Sequence, residues 1–260
     1  MNHSKNPKHD RSCSCSRRHF IAGSSAAVSA SLLSACGVKT TDINTSTAEV
    51  SNDILLPLSR EVRDALSPEQ IIQRAKEGNQ RFRTGRKRNR DFLVEMRTTA
   101  AGQHPAAVVL SCIDSRAPAE IIFDLGLGDI FNCRVAGNID NPDILGSMEF
   151  ATKLSGAKIV CVLGHSACGA IKGAIADAQL GNLTQLLSKI HPAIEATQYS
   201  GNRSADNDEF VDAVARKNVE LTFANIRERS PIIADLEKNR AVKVFGGFYD
   251  ITTGAVEFLF

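Results

Sequence analysis

Two short segments carry the residue types that could do chemistry. Cys112-Ile113-Asp114-Ser115-Arg116 places a thiol, a carboxylate and a guanidinium at alternate positions. In extended chain, residues two apart point the same way, so all three would share one face. His165-Ser166-Ala167-Cys168-Gly169 adds an imidazole and a second thiol three residues apart. Two thiolates and an imidazole form a Zn²⁺ ligand set, and three protein ligands leave the fourth tetrahedral position for water or substrate. A closed structural zinc site needs a fourth Cys or His, and none stands at ligand spacing from these three. H-x-x-C alone is a weak pattern; its pairing with C-x-D-x-R carries the reading.

The elements that must position these residues are legible as alternating strands and helices. Both motifs terminate short apolar runs, 106–113 and 158–164, of the kind buried on both faces of a parallel sheet. The run 130–136 reads the same way. Ligands of open α/β sheets gather at the carboxyl ends of strands, where both motifs fall. Ser67-Pro68-Glu69-Gln70 predicts a helix start, with Ser as N-cap, Pro at the first turn and Gln closing a capping box. Asn141-Pro142 predicts another, and 170–180 and 209–229 are further helices. The segments 242–249 and 255–259, joined by Thr252-Thr253-Gly254, predict a closing hairpin. The fold class expected is α/β: a mostly parallel central sheet flanked by helices, an antiparallel C-terminal edge strand and an N-terminal helical arm.

Residues 67–260 resemble the β-class carbonic anhydrases. The resemblance rests on Gly78-Asn79-Gln80-Arg81-Phe82, the CIDSR and HSACG motifs, Arg134-Val135-Ala136-Gly137-Asn138, and Gly247-Phe248-Tyr249-Asp250. It implies one zinc per chain, held by Cys112, His165 and Cys168, and an orienting dyad of Asp114 and Arg116. It implies reversible hydration of CO₂ to bicarbonate and a proton, by attack of zinc-bound hydroxide. Gln103, Phe131, Phe150 and the Gly169 backbone N–H are the implied substrate contacts, with Val108 as a further apolar wall. Phe150 departs from plant-type members, which have a tyrosine there. A homodimer or homotetramer is implied, with the active site at the subunit interface. One subclass closes its aspartate onto zinc with the help of a second bicarbonate site. Arg134 and Tyr249 match that site, but Val109 stands where some members have a Trp, so the resemblance leans toward the open type. Two rival readings are a zinc hydrolase acting on carbonyl sulfide or carbon disulfide, and a non-catalytic zinc-binding protein. The complete Asp114–Arg116 pair argues against the second, since a structural site needs no orienting dyad.

The remainder of the chain sets the context. Of 260 residues, 43% are hydrophobic and 23% charged, as in a soluble globular protein. Five of the 31 basic residues but only one of the 29 acidic ones lie within residues 1–35, which leaves the body slightly acidic. A near-neutral body with no Trp and two Tyr gives no case for nucleic-acid binding. The run Arg81-Phe82-Arg83-Thr84-Gly85-Arg86-Lys87-Arg88-Asn89-Arg90 reads as a solvated helix end or subunit contact.

Residues 1–35 read as an export signal. Arg17-Arg18-His19-Phe20 resembles a twin-arginine motif, and an uncharged Ala/Ser-rich stretch follows. Leu33-Ser34-Ala35-Cys36 resembles a lipobox that would acylate Cys36; cleavage near Ala30 or Ala35 is the alternative. Residues 36–66, rich in Thr, Ser, Asn and Asp, read as a flexible tether to a membrane-anchored, periplasmic enzyme. Of seven Cys, Cys13 and Cys15 lie in the signal, and Cys133 and Cys161 read as small buried apolar residues.

Overall fold

The computed structural model describes residues 56–259. The expected signal, Cys36 and the tether up to residue 55 lie outside the described residues. The chain opens with α1 (Arg60–Ala65), α2 (Pro68–Arg83), α3 (Phe92–Thr99), β1 (Ala107–Ser111), α4 (Ala119–Ile122) and β2 (Ile130–Arg134). Then come α5 (Pro142–Glu149), β3 (Ile159–His165), α6 (Gly169–Ile175), α7 (Gly181–Ser188) and α8 (His191–Ala196). The long α9 (Asp208–Arg229), α10 (Pro231–Lys238), β4 (Lys243–Tyr249) and β5 (Val256–Leu259) complete it.

The five strands form one sheet in the order β2-β1-β3-β4-β5. All neighbours are parallel except β4 and β5, which form the expected antiparallel closing hairpin. Every residue of β1 and β3 is buried, which is why both read as continuous apolar runs. One face carries Ala107, Val109, Ile159, Cys161 and Phe245 under α2 and α4. The other carries Val108, Leu110, Val160, Val162 and Val244 against α5, α9 and α10. Val108 is therefore a core residue rather than a wall of the site.

Three expectations are corrected. The strand at 130–136 is not buried on both faces: β2 lies at the sheet edge, and of its residues only Cys133 is buried. The helix expected over 170–180 stops at Ile175, followed by Asp177 at φ +49°, before α7 begins at Gly181. The tether ends before residue 66, because Ser59 caps α1 by accepting the N–H of Val62. Long-range ties then fix this short helix. Arg63 donates to the Ser155 carbonyl at 2.6 Å, and Lys158 Nζ donates to the carbonyls of Asp64 and Leu66 at 2.7 and 2.8 Å. Those partners lie more than ninety residues away, so local sequence gives no sign of them.

The capping box at α2 forms as expected, with Ser67 Oγ accepting from Gln70 N and Gln70 Oε1 accepting from Ser67 N. The basic run that follows is only partly solvated. Arg81 pairs with buried Asp124 at 2.6 Å, and Arg90 pairs with fully buried Glu95 at 2.8 Å. No helix among the described residues is long and apolar enough to cross a membrane.

Candidate metal centre

The two motifs meet where the sequence places them, at the carboxyl ends of neighbouring strands. Cys112 directly follows β1, His165 ends β3, and Cys168 is the residue before α6. Their ligand atoms all lie within 4.8 Å of one another, and all three residues are buried. The two sulfurs are 4.0 Å apart.

His165 shows most directly what this cluster is built for. Its Nδ1–H donates to the Ser166 carbonyl at 2.9 Å, which fixes the tautomer and leaves a lone pair on Nε2. That Nε2 is buried and has no hydrogen-bond partner. A buried acceptor without a partner is costly unless something occupies it, and here it faces two thiols. Two sulfurs and an imidazole nitrogen suit a borderline-soft divalent ion.

The thiols are already polarised. Cys112 is held well below the usual thiol range, chiefly by hydrogen bonding from Cys168, then by the neighbouring His165 imidazole and by backbone N–H groups including that of Gly137, against the opposing effect of burial. The Gly137 N–H lies 3.3 Å from Cys112 Sγ. The chain can present that N–H because Gly137 adopts φ +69°; a Cβ there would also meet Ile190 Cδ1 at 2.7 Å. Cys168 is pushed up by the same pairing and by burial, and N–H groups at the start of α6 act in the opposite sense.

Asp114 borders the cluster, with Oδ2 at 3.9 Å from His165 Nε2. Arg116 grips it bidentately, Nε to Oδ1 at 3.0 Å and Nη2 to Oδ2 at 2.8 Å, and its own backbone N–H adds a bond to Oδ1 at 2.9 Å. These bonds, the Arg116 side chain's foremost, hold the Asp114 carboxyl well below the ordinary carboxylate range. Arg134, at the end of β2, ties the loop from outside. Its Nε donates to the Cys112 carbonyl at 2.9 Å and its Nη2 to the Asp114 carbonyl at 2.6 Å. Tyr249, paired in register with His165, is buried on β4.

Of the other expected site residues, only Gly169 lies at the cluster within one chain. Gly169 is exposed at the first position of α6, beside Cys168. Gln103 is exposed in the loop before β1, at the opposite end of that strand from Cys112. Phe131 lies on β2 level with Val108, three residues before the position opposite Ser111. It packs edge-on against Phe150, ring centroids 6.1 Å apart, in a surface groove also lined by Asn132, Pro142 and Gly146. Phe150 is half exposed. Parallel register dictates this: a residue near the start of an edge strand cannot reach the carboxyl end where the ligands sit.

Sequence reasoning missed two residues that reach the ligand loops from α9, Asp212 and Asn218. Asp212 Oδ1 accepts the Ala167 N–H at 2.9 Å, and Asn218 Nδ2 donates to the Gly137 carbonyl at 2.8 Å. The available signal was a polar residue on a helix face otherwise filled by Val211, Val214, Ala215 and Val219. Cys133 and Cys161 are free buried thiols whose pKa values burial pushes up.

The fold and the site thus define an α/β protein with a buried Cys₂His cluster that could hold a metal ion, next to an aspartate–arginine dyad. The profile of the family described as carbonic anhydrase matches residues 107–256. Carbonic anhydrase 2 of Mycobacterium tuberculosis is 36% identical over 185 residues, spanning 69% of this chain and 86% of that protein. Among solved structures, a β-carbonic anhydrase of Aspergillus fumigatus superposes with a TM-score of 0.58 at 30% identity, over 63% of this chain and 79% of that one. One of two tetrameric β-carbonic anhydrases of Sordaria macrospora superposes with a TM-score of 0.55 at 29% identity, over 62% and 83% of the two chains. This chain belongs to the β-carbonic anhydrase family.

Proposed function

We propose that this chain binds one Zn²⁺ through Cys112 Sγ, His165 Nε2 and Cys168 Sγ and hydrates CO₂ reversibly to bicarbonate and a proton. The observation that carries the reading is the buried, partnerless His165 Nε2 facing two thiols, with the Asp114–Arg116 pair beside it. Zinc in such a site would supply a nucleophile near neutral pH by lowering the pKa of bound water.

The chain's own residues do the orienting. Asp114, kept ionised by Arg116, is a pure hydrogen-bond acceptor, so it can accept a hydrogen bond from the attacking oxygen's O–H and turn a lone pair toward the carbon of CO₂. Arg116 makes that carboxylate rigid. The exposed Gly169 N–H can donate to a CO₂ or bicarbonate oxygen. Asp114 is engaged by Arg116 and Arg134 by two backbone carbonyls, which supports a constitutively open site over one that closes its aspartate onto the metal.

Gln103, Phe131 and Phe150 would serve the site only from a neighbouring copy. The exposed Phe150, the partly exposed Phe131 and the open edge of β2 support a homodimer or homotetramer with active sites at the interface. The Arg17-Arg18 motif and Cys36 support export to the periplasm and lipid anchoring there. An acylated N-terminal peptide, found by mass spectrometry and absent after Cys36→Ala, would test the anchor.

The test of function is stopped-flow CO₂ hydration by the zinc-loaded protein at about pH 7 and about pH 8.5, with Asp114→Ala alongside. Turnover that rises with pH and collapses in the variant is the expected result. One zinc per chain with no turnover at either pH would reject CO₂ hydration and redirect attention to sulfur analogues or a binding role.

A further inference from the structure

Helix α9 reaches both halves of the metal centre without supplying a ligand. Its Asp212 accepts the N–H of Ala167, inside the loop that joins His165 to Cys168. Its Asn218, almost fully buried, donates to the carbonyl of Gly137, whose own N–H donates to Cys112 Sγ. One anchor therefore governs the His165–Cys168 loop and the other governs the donor to Cys112.

Asp212 and Asn218 lie six residues and about 120° apart around the helix, flanking the face that Ala215 and Val219 turn toward β3. Between them α9 rests directly on β3. A Cβ at Gly164 would meet Val219 Cγ2 at 2.5 Å and the Ala215 carbonyl oxygen at 3.6 Å. Only glycine lets the helix approach this closely, one residue before His165. Six residues of helix rise about 9 Å, so a rigid element sets the separation of the two loops.

The His165–Cys168 loop most needs such a restraint. Ala167 sits at φ +51°, a region disfavoured for alanine, whereas Gly137 at φ +69° and Asn138 at φ +42° are residue types that adopt it readily. Left to local preference, the loop between His165 and Cys168 would relax and carry the ligands apart.

We propose that Asp212 and Asn218 are positioning residues that hold Cys112, His165 and Cys168 at metal-binding spacing before the ion arrives. The inference rests on the zinc reading of this site, and it is tested by metal retention rather than turnover. The full chain is loaded with zinc, its metal content is measured, and zinc transfer to an excess of chromogenic chelator is followed. Asp212→Ala and Asn218→Leu should each release zinc about 10–100-fold faster than wild type. Asp212→Asn, which keeps an acceptor for the Ala167 N–H, should stay near wild type. Adding Ala167→Gly to Asp212→Ala should slow release again, because glycine holds a positive φ without help. Ile226→Val, buried on α9 but bonded to neither loop, is the control: it should lower the melting temperature and leave zinc release unchanged. Cobalt-substituted protein gives a second readout, with altered visible bands expected in Asp212→Ala and Asn218→Leu only.

Wild-type release rates in both anchor variants would overturn the proposal. So would Ile226→Val releasing zinc as fast as they do at an equal loss of melting temperature. Should Asp212→Ala fail to fold, Asn218→Leu and Asp212→Asn decide the matter alone. A wild type that holds no zinc would overturn the zinc reading and this inference together, and the initial metal analysis reveals that case first.

Discussion

In the proposed reaction Asp114 orients the attacking oxygen, and its partners set what it can do. A carboxyl held below its ordinary range, about 4 for a free aspartate, contributes stability that is complete above that value. The contribution is lost as pH falls through the lowered pKa. Asp114 therefore stays charged across the whole range in which a carbonic anhydrase works. Two thiolates would also cancel the formal charge of a bound Zn²⁺, leaving its water less acidic than three imidazoles would. The rate should thus climb between about pH 6 and pH 9, with no part of that rise coming from Asp114. Asp114→Asn keeps the shape of the side chain but offers an N–H₂ group in place of one acceptor oxygen. It should lower turnover at least about 100-fold while leaving the form of the pH profile unchanged. A midpoint displaced by a full pH unit would mean that Asp114 does titrate in the working range.

Elements deliver these residues through close packing and ionic ties. β3 can end at His165 under α9 because Gly164 lacks a side chain. Gly164→Ala should cost about 1–3 kcal/mol by overpacking, read as a lower denaturation midpoint with little change in its steepness. Because α9 also holds the ligand loops, the same variant should release zinc faster. Helix α3 is held differently. Glu95 is fully buried and engages Arg90 at 2.8 Å, while its second oxygen accepts the Leu127 N–H at 2.9 Å. Glu95→Ala removes the nearer of two carboxylates around the buried Arg90, leaving Asp129 at 3.5 Å and the Asp124 carbonyl at 3.0 Å, and destabilisation of about 1.5–3 kcal/mol is expected from urea titration. A cost below about 1 kcal/mol would mean that water reaches Arg90 easily.

At the scale of the whole molecule, one chain presents metal ligands and dyad together but leaves an aromatic pair facing outward from its sheet edge. The Phe131–Phe150 pair and the unpaired side of β2 give a second copy something to bury. Phe131→Glu should shift sedimentation from dimer or tetramer toward monomer and abolish most turnover, with zinc content unchanged. A wild type that sediments as a fully active monomer would rule out subunit-shared sites and leave Gln103 without a role.

What the amino-acid sequence determined by itself is the chemistry and the alternation of elements. Cys112, His165 and Cys168 were legible because both motifs fall at strand ends and because donor types select a metal; Asp114 and Arg116 were legible as a motif, although residues 112–116 leave β1 as a loop and turn and do not share a face by strand alternation. The apolar runs that became β1 and β3 were legible because strands covered on both sides have no polar face to show. Tertiary structure decided everything that depends on contacts distant in the chain. Edge placement of β2 follows from strand order, which no local pattern encodes. Helix α1 hides in a polar stretch because Lys158 and the Ser155 carbonyl hold it from more than ninety residues away. Asp212 and Asn218 look like ordinary helix residues until α9 settles on Gly164 and brings them to loop residues 45 and 81 positions distant, respectively. Gln103, Phe131 and Phe150 match a motif in one dimension, yet parallel register keeps them from their own metal centre, since position along a strand fixes which end of the sheet a side chain can serve.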